Sequence, residues 1–236
     1  MSRLRGLRLD SHKQRPFERS LLVAPPPRVA VIALDQGCGE CADPVVATGQ
    51  PVRLGTTIAR GHGAASDLHA PVSGTVADIT DRPTVRGASR CIVIENDGRD
   101  EPEPGFAPLD WRAMDAAALL ERIAQGGIAG LGGAAFPTAA KLALARSSGI
   151  ELLLLNGAEC EPWICCDDAL MRARAADVVL GAQVMLAATG AQRCSIAIED
   201  DKPDAIAAVE AAVTAAGDAR LAVTVLPAIF PRGAER

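Results

Sequence analysis

The apolar positions of this chain change their period about halfway along it. From about residue 21 to residue 96 they fall in short Val- and Ile-rich runs broken by Gly and Pro. Val29–Leu34, Pro51–Leu54, Thr57–Ala59, Gly74–Ile79 and Cys91–Glu95 read as strands, because β-branched residues suit a pleated, half-buried surface and turn formers separate the runs. Short strands at this spacing predict a small all-β barrel or sandwich. From about residue 113 to residue 236 the pattern lengthens. Helices are predicted over Met114–Gln125, Thr138–Arg146, Asp167–Thr189 and Pro203–Ala216, with strands over Glu151–Leu155, Ser195–Glu199 and Leu221–Leu226. That alternation predicts an α/β layer on a mainly parallel sheet. End signals agree: Asp167 or Asp168 can open the third helix, Gly190 can close it, and Pro203 stands in the first turn of the fourth. Residues 97–112 are acidic and Pro-rich and read as a linker, and residues 1–20 read as a loose polar arm. The expected fold class is α+β.

Composition narrows the function. Of 236 residues, 49% are hydrophobic and 22% charged, which excludes a disordered or collagenous chain. The net charge is −5 with no compensating basic run, so a nucleic-acid partner is not expected. Aromatics are 3% with no Tyr, which also argues against a base-stacking platform. No run approaches the ~18 apolar residues of a membrane span, and the polar, Arg-rich start does not resemble a signal peptide. The seven cysteines are irregularly spaced and are expected to be reduced thiols. Only three lysines, Lys13, Lys141 and Lys202, stand against 21 arginines, so a Lys within a motif is conspicuous.

Two segments have the makings of a site. The first is GGIAGLGGAAFPTAAKLALA, in which Gly130, Gly132 and Gly133 precede a helix with Lys141 about one turn in. Glycine lets the backbone approach a ligand, a helix N-terminus favours an anion, and Lys141 adds a point charge. The segment lacks a GK[ST] ending and no strand leads into it, so neither the Walker A loop nor the usual dinucleotide fingerprint fits. A phosphate or flavin cradle and a tight interhelical turn with packing glycines both remain open. The second is LLLLNGAECEPWICCDD, where a predicted strand ends at Asn156 and is followed by Glu159, Glu161, Asp167 and Asp168. Ligands of open α/β sheets lie beyond the carboxyl ends of strands, where Asn can bond a ring amide and carboxylates can accept ribose hydroxyls. The acids also fit solvated loop positions, and either aspartate fits a helix N-cap. CGEC at Cys38–Cys41 fits a β-turn better than half a metal site, and His12, His62 and His69 are too scattered to ligate together. No metal site is expected.

GIAGLGGAAFPTAAKL followed by NGAECEPWICCDDALMR resembles the C subunit of the Rnf electron-transport complex, and more distantly the NADH-binding flavin subunit of respiratory complex I. The similarity covers about residues 18–236. LHAPVSGTVADI resembles the biotinyl/lipoyl-type barrel-sandwich hybrid, but the hairpin Ser66–Gly74 has no Lys, so no attached biotin or lipoyl group is expected. The resemblance implies a barrel-sandwich hybrid over 21–96 and a Rossmann-like flavin/NADH-binding domain over 113–236. It implies FMN and NAD(H) as cofactors. Gly130, Gly132, Gly133 and Lys141 would contact the flavin and its phosphate, Asn156 the isoalloxazine or ribityl chain, and Glu159 and Glu161 the flavin and nicotinamide nucleotide. No catalytic acid or base is implied, because hydride passes directly between the rings. The implied partners are Rnf-type membrane subunits and ferredoxin or an equivalent carrier, with the chain peripheral at the cytoplasmic face of the membrane. Two departures stand out. Ala135 occupies a position where the family usually has Gly. The CxxCxxCxxxCP runs that hold 4Fe-4S clusters in the family are missing from these residues, and the sequence reads as C-terminally truncated. That leaves open a second reading, a docking module or fragment without electron transfer of its own.

Overall fold

The computed structural model describes residues 6–13, 21–38, 41–105, 108–131 and 135–231. The chain forms two compact units, residues 24–147 and residues 148–236 together with 1–23.

In the first unit, strands β1 (Val29–Ala33), β3 (Pro51–Val52), β6 (Gly74–Thr84) and β7 (Gly87–Asn96) form an antiparallel sheet in the order β1-β7-β6-β3. A second sheet is ordered β2 (Asp43–Pro44), β4 (Thr57–Arg60), β5 (Leu68–His69). Ile32, Leu34, Val52, Ile58, Val72, Val76, Ile92 and Ile94 form their shared core. The β6–β7 hairpin runs well past the strand ends expected from the apolar pattern, with Thr84 opposite Gly87 at its tip. Its outer half carries polar pairs such as Asp81 opposite Arg90, and Val85 at the turn is fully exposed. An arm that leaves the core has no buried face, so no apolar alternation marks it. Strands β2 and β5 have two residues each, too short for any period to show.

Beyond the sheets, Leu54 exchanges backbone hydrogen bonds with Glu101 and Glu103, which fastens the acidic segment alongside the barrel. Helix α1 (Ala116–Gln125) opens on Asp115, whose carboxylate accepts the Ala118 N–H at 2.8 Å. Helix α2 (Thr138–Ser147) follows, and Leu119 and Leu142 are the buried residues of the two helices.

In the second unit, β8 (Leu152–Gly157), β9 (Arg193–Glu199) and β10 (Leu221–Leu226) form the expected parallel sheet, ordered β10-β9-β8. Helix α3 (Cys166–Thr189) connects β8 to β9, and α4 (Pro203–Ala216) connects β9 to β10. Leu153, Met171, Val179, Leu186, Ile196, Ile198 and Val209 make the core. Gly190 closes α3 in the left-handed conformation, as its position suggested. The start of α3 differs from the expectation. Cys165 is the N-cap and gives no side-chain bond, while Asp167 and Asp168 lie inside the first turn. The first-turn donors are met by Glu159 from the preceding loop.

Residues 7–13 are held rather than loose. Leu7 and Phe230 exchange backbone hydrogen bonds at 2.9 Å, and the Trp163 N–H donates to the Ser11 carbonyl at 2.9 Å. Sequence pattern misses such an arm because its anchors are single contacts, not a repeating face.

Candidate functional site

The glycine turn lies in the first unit, between α1 and α2. Gly127 has φ +63°, and a Cβ there would stand 2.3 Å from the Asp67 carbonyl oxygen and 3.1 Å from the His69 ring. Only glycine meets both the dihedral and the clearance, so this residue serves packing against the 61–69 segment. The base of the turn is closed by a short antiparallel bridge, with the Gly130 N–H on the Phe136 carbonyl at 3.0 Å and the Thr138 N–H on the Ile128 carbonyl at 2.8 Å. Helix α2 therefore starts directly at the foot of the loop. Gly130 is of the other kind: among the described residues, a Cβ there would find nothing closer than the Phe136 carbonyl oxygen at 3.9 Å. Gly130 is exposed. Lys141 is exposed in the first turn of α2. Gly132 and Gly133 lie outside the described residues. The packing and cradle readings thus divide between positions, with Gly127 belonging to the first and Gly130 with Lys141 fitting the second.

Ala135 has φ +48°, a left-handed conformation that costs an L-residue roughly 1–2 kcal/mol. A glycine at this position would adopt that dihedral without the cost, a backbone reason independent of any ligand.

The strand-end loop lies in the second unit. Asn156 is exposed at the end of β8 and its Oδ1 accepts the Ala158 N–H at 3.0 Å, an Asx-type turn that leads the chain off the sheet. Glu161 is exposed. Glu159 is 3% exposed. Its Oε1 accepts the Asp167 N–H at 2.9 Å and the Cys166 thiol at 3.2 Å, and its Oε2 accepts the Asp168 N–H at 3.4 Å. A carboxylate at a helix N-terminus satisfies orphan donors and opposes the helix dipole. Glu159 is thus bound to its own protein, as a cap delivered from the loop ahead of the helix.

Beneath the loop is a cluster that residue-type reasoning did not find. The Glu159 N–H donates to Glu199 Oε2 at 3.2 Å, and the Glu159 carbonyl accepts from both Lys13 and Lys202, the latter at 3.4 Å. Lys202 Nζ also lies 2.6 Å from Glu199 and 2.8 Å from Asp201. Lys13, Lys202 and Glu199 are all essentially inaccessible. Buried charges persist only when paired and hydrogen-bonded. Burial pushes the Lys202 ammonium down, but hydrogen bonds to Asp201 and Glu199 outweigh it and hold it above the ordinary lysine range. Two of the three lysines are therefore structural cations. Their scarcity marked them as conspicuous, and nothing in their sequence neighbourhood showed burial.

The surroundings of Glu159 also set nearby protonation. The hydrogen bond to Glu159 is the largest influence raising the Cys166 thiol, followed by burial. Partial desolvation raises the Asp167 carboxyl, and the charges of Glu159 and Glu161 add to it. A thiol held protonated is a poor nucleophile and a poor metal ligand. Glu159, Cys166 and Asp167 bring ligand atoms within 4.8 Å of one another, and the capping bonds account for their approach. Cys38 and Cys41 are both exposed. The histidines are dispersed: His12 stacks on Trp163, His62 lies 3.2 Å from Asp43, and His69 faces Gly127.

No helix among the described residues is long and apolar enough to cross a membrane. The RnfC barrel sandwich hybrid domain family matches residues 2–99, and the Nuo51 FMN-binding domain family matches residues 123–236. The chain is 42% identical over 235 residues to the C subunit of the ion-translocating oxidoreductase complex of Pseudomonas aeruginosa, covering 98% of this chain and 30% of that protein. It is 40% identical over 216 residues to the same subunit of Serratia proteamaculans, covering 90% and 30%. It is 37% identical over 235 residues to the C subunit of the Na(+)-translocating ferredoxin:NAD(+) oxidoreductase complex of Acetobacterium woodii, covering 98% and 52%. The chain thus spans between 30% and 52% of the length of these relatives. With both domain families matched in order and about 40% identity along nearly its whole length, this chain is a homologue of the C subunits of Rnf-type complexes, with an RnfC barrel sandwich hybrid domain followed by a Nuo51 FMN-binding domain.

Proposed function

We propose that this chain is the flavin-bearing part of an ion-translocating oxidoreductase, moving electrons between NAD(H) and ferredoxin or an equivalent carrier. The observation that carries the reading is the glycine turn at the foot of α2. Gly130 is exposed and uncrowded among the described residues, and Lys141 stands exposed in the first turn. Open backbone, a helix N-terminus and one ammonium suit a phosphate monoester such as that of FMN. Gly130, Gly132, Gly133 and Lys141 take the phosphate side of the flavin. In the second unit, the exposed Asn156 and Glu161 carry polar groups of the kind that accept and donate hydrogen bonds to a nucleotide. Glu159 supports that loop from below, as the cap of α3. FMN, when bound, would supply the hydride and single-electron chemistry. The residues of the chain bind and orient, and none is required to transfer a proton. The partners are the membrane subunits of the complex, with this chain peripheral on the cytoplasmic face.

Titration of FMN into the purified chain tests this reading. Saturable quenching of flavin fluorescence in the tens of micromolar or tighter is expected. Lys141→Ala should weaken it about tenfold, the loss of ~1.4 kcal/mol from a charge-assisted contact. NADH-dependent dye reduction by the FMN-loaded chain should follow. A folded chain that takes no FMN overturns the reading and leaves a docking module in its place.

A further inference from the structure

The strand-end loop is gripped from the N-terminal arm at successive points. The Trp163 N–H donates to Ser11, and the His12 ring stacks on the Trp163 indole with centroids 5.0 Å apart and planes 16° from parallel. Lys13 buries its ammonium against the Glu159 carbonyl, the oxygen that Lys202 also reaches. The arm is anchored behind these contacts by the Leu7–Phe230 pair.

Two features show that the grip is tight. Lys13 is 1% exposed, although an ammonium on a solvated arm would lie in water, so its contacts must offset the desolvation of a charge. Trp163 has φ +70° and His12 has φ +49°. A bulky residue in the left-handed region is strained and persists only where its surroundings over-determine it. Both strained residues belong to the same contact, one on each side. Glu159, whose carbonyl the two lysines hold, lies between Asn156 and Glu161, two polar residues that this loop presents to solvent.

We propose that residues 7–13 are a strap that holds loop 156–164 in its ligand-facing conformation, with Lys13 as its positioning residue. Lys13 acts through the Glu159 backbone and touches no ligand. The strap's relevance to the cofactor rests on the flavin reading of this loop under Proposed function.

Hydrogen exchange of the intact chain, comparing the wild type with Lys13→Met and His12→Ala, tests the strap. Lys13→Met should speed exchange of the 158–164 amides at least tenfold while β9 amides keep their rates. In a Trp111→Phe background Trp163 is the sole indole, and His12→Ala should raise its acrylamide quenching at least twofold. Unchanged loop exchange and unchanged quenching overturn the strap. If circular dichroism shows that Lys13→Met does not fold, His12→Ala decides alone. FMN titration of the same samples separates the two ideas. A loosened loop with FMN affinity about tenfold weaker supports the positioning role, and a loosened loop with unchanged affinity overturns it. A wild type that takes no FMN overturns the flavin reading, while faster exchange in Lys13→Met still supports the strap.

Discussion

Replacing Glu159 by Gln separates a cap from a ligand contact. The two side chains are nearly isosteric, so packing is preserved. The carboxylate accepts N–H groups of Asp167 and Asp168 and the Cys166 thiol, all at the start of α3. Gln turns one acceptor into a donor facing donors, and it removes the negative charge from the helix N-terminus. A hydrogen bond to a charged group contributes about 1.5–3 kcal/mol, and a partly buried charge at a helix end adds up to about 2 kcal/mol. The longer contact to Asp168 and residual bonding by the amide reduce that sum, so the expected loss is about 3 kcal/mol. For a unit of this size the corresponding fall in Tm is roughly 13 °C. Urea unfolding followed by circular dichroism and Trp fluorescence measures it. Glu161→Gln is the comparison, because an exposed loop acid should leave stability within about 0.5 kcal/mol of wild type. A Glu159→Gln chain as stable as wild type but unable to take FMN would refute the reasoning, because the carboxylate would then be serving the cofactor and not the helix.

Gly127→Ala should destabilise the chain by at least ~2 kcal/mol in urea, since it adds left-handed strain to a 2.3 Å approach to the Asp67 carbonyl. Ala135→Gly should act in the opposite sense and raise stability by about 0.5–1 kcal/mol in the same assay, relieving φ +48° at the cost of extra freedom in the unfolded chain. Asp218 is pulled down to about 2, first by its hydrogen bond to Arg220, from an ordinary value of 3.8. A carboxylate lowered in the folded state stabilises above its unfolded value and loses that contribution as pH falls from about 4 to about 2. Because Arg220 is half exposed, solvent screening leaves about 1 kcal/mol, so Asp218→Asn should cost that much at pH 7 and nothing below pH 2 in pH-dependent urea melts.

How much was legible from the residues differs by element. Strands and helices with a continuous buried face were readable, such as β9 with Cys194, Ile196 and Ile198 all inward. Their periodicity is a direct imprint of burial. The outer β6–β7 arm was not, because it has no buried face. Gly127 and Gly130 look alike as letters, and only their neighbours separate a glycine crowded by Asp67 and His69 from one uncrowded among the described residues.

The amino-acid order alone determined the succession of a β-rich segment and an alternating α/β segment, the parallel sheet, and the placement of a glycine turn before a helix bearing Lys141. These are local consequences of side-chain period and backbone preference. Tertiary structure decided that Glu159 is a buried cap, that Lys13 and Lys202 meet at its carbonyl, and that the arm from Leu7 to Lys13 grips the loop around Trp163. Lys13 is 146 residues from Glu159 in the chain, and no local preference encodes such a pairing. It exists because a buried carbonyl and a buried ammonium satisfy each other once the surrounding apolar faces have closed.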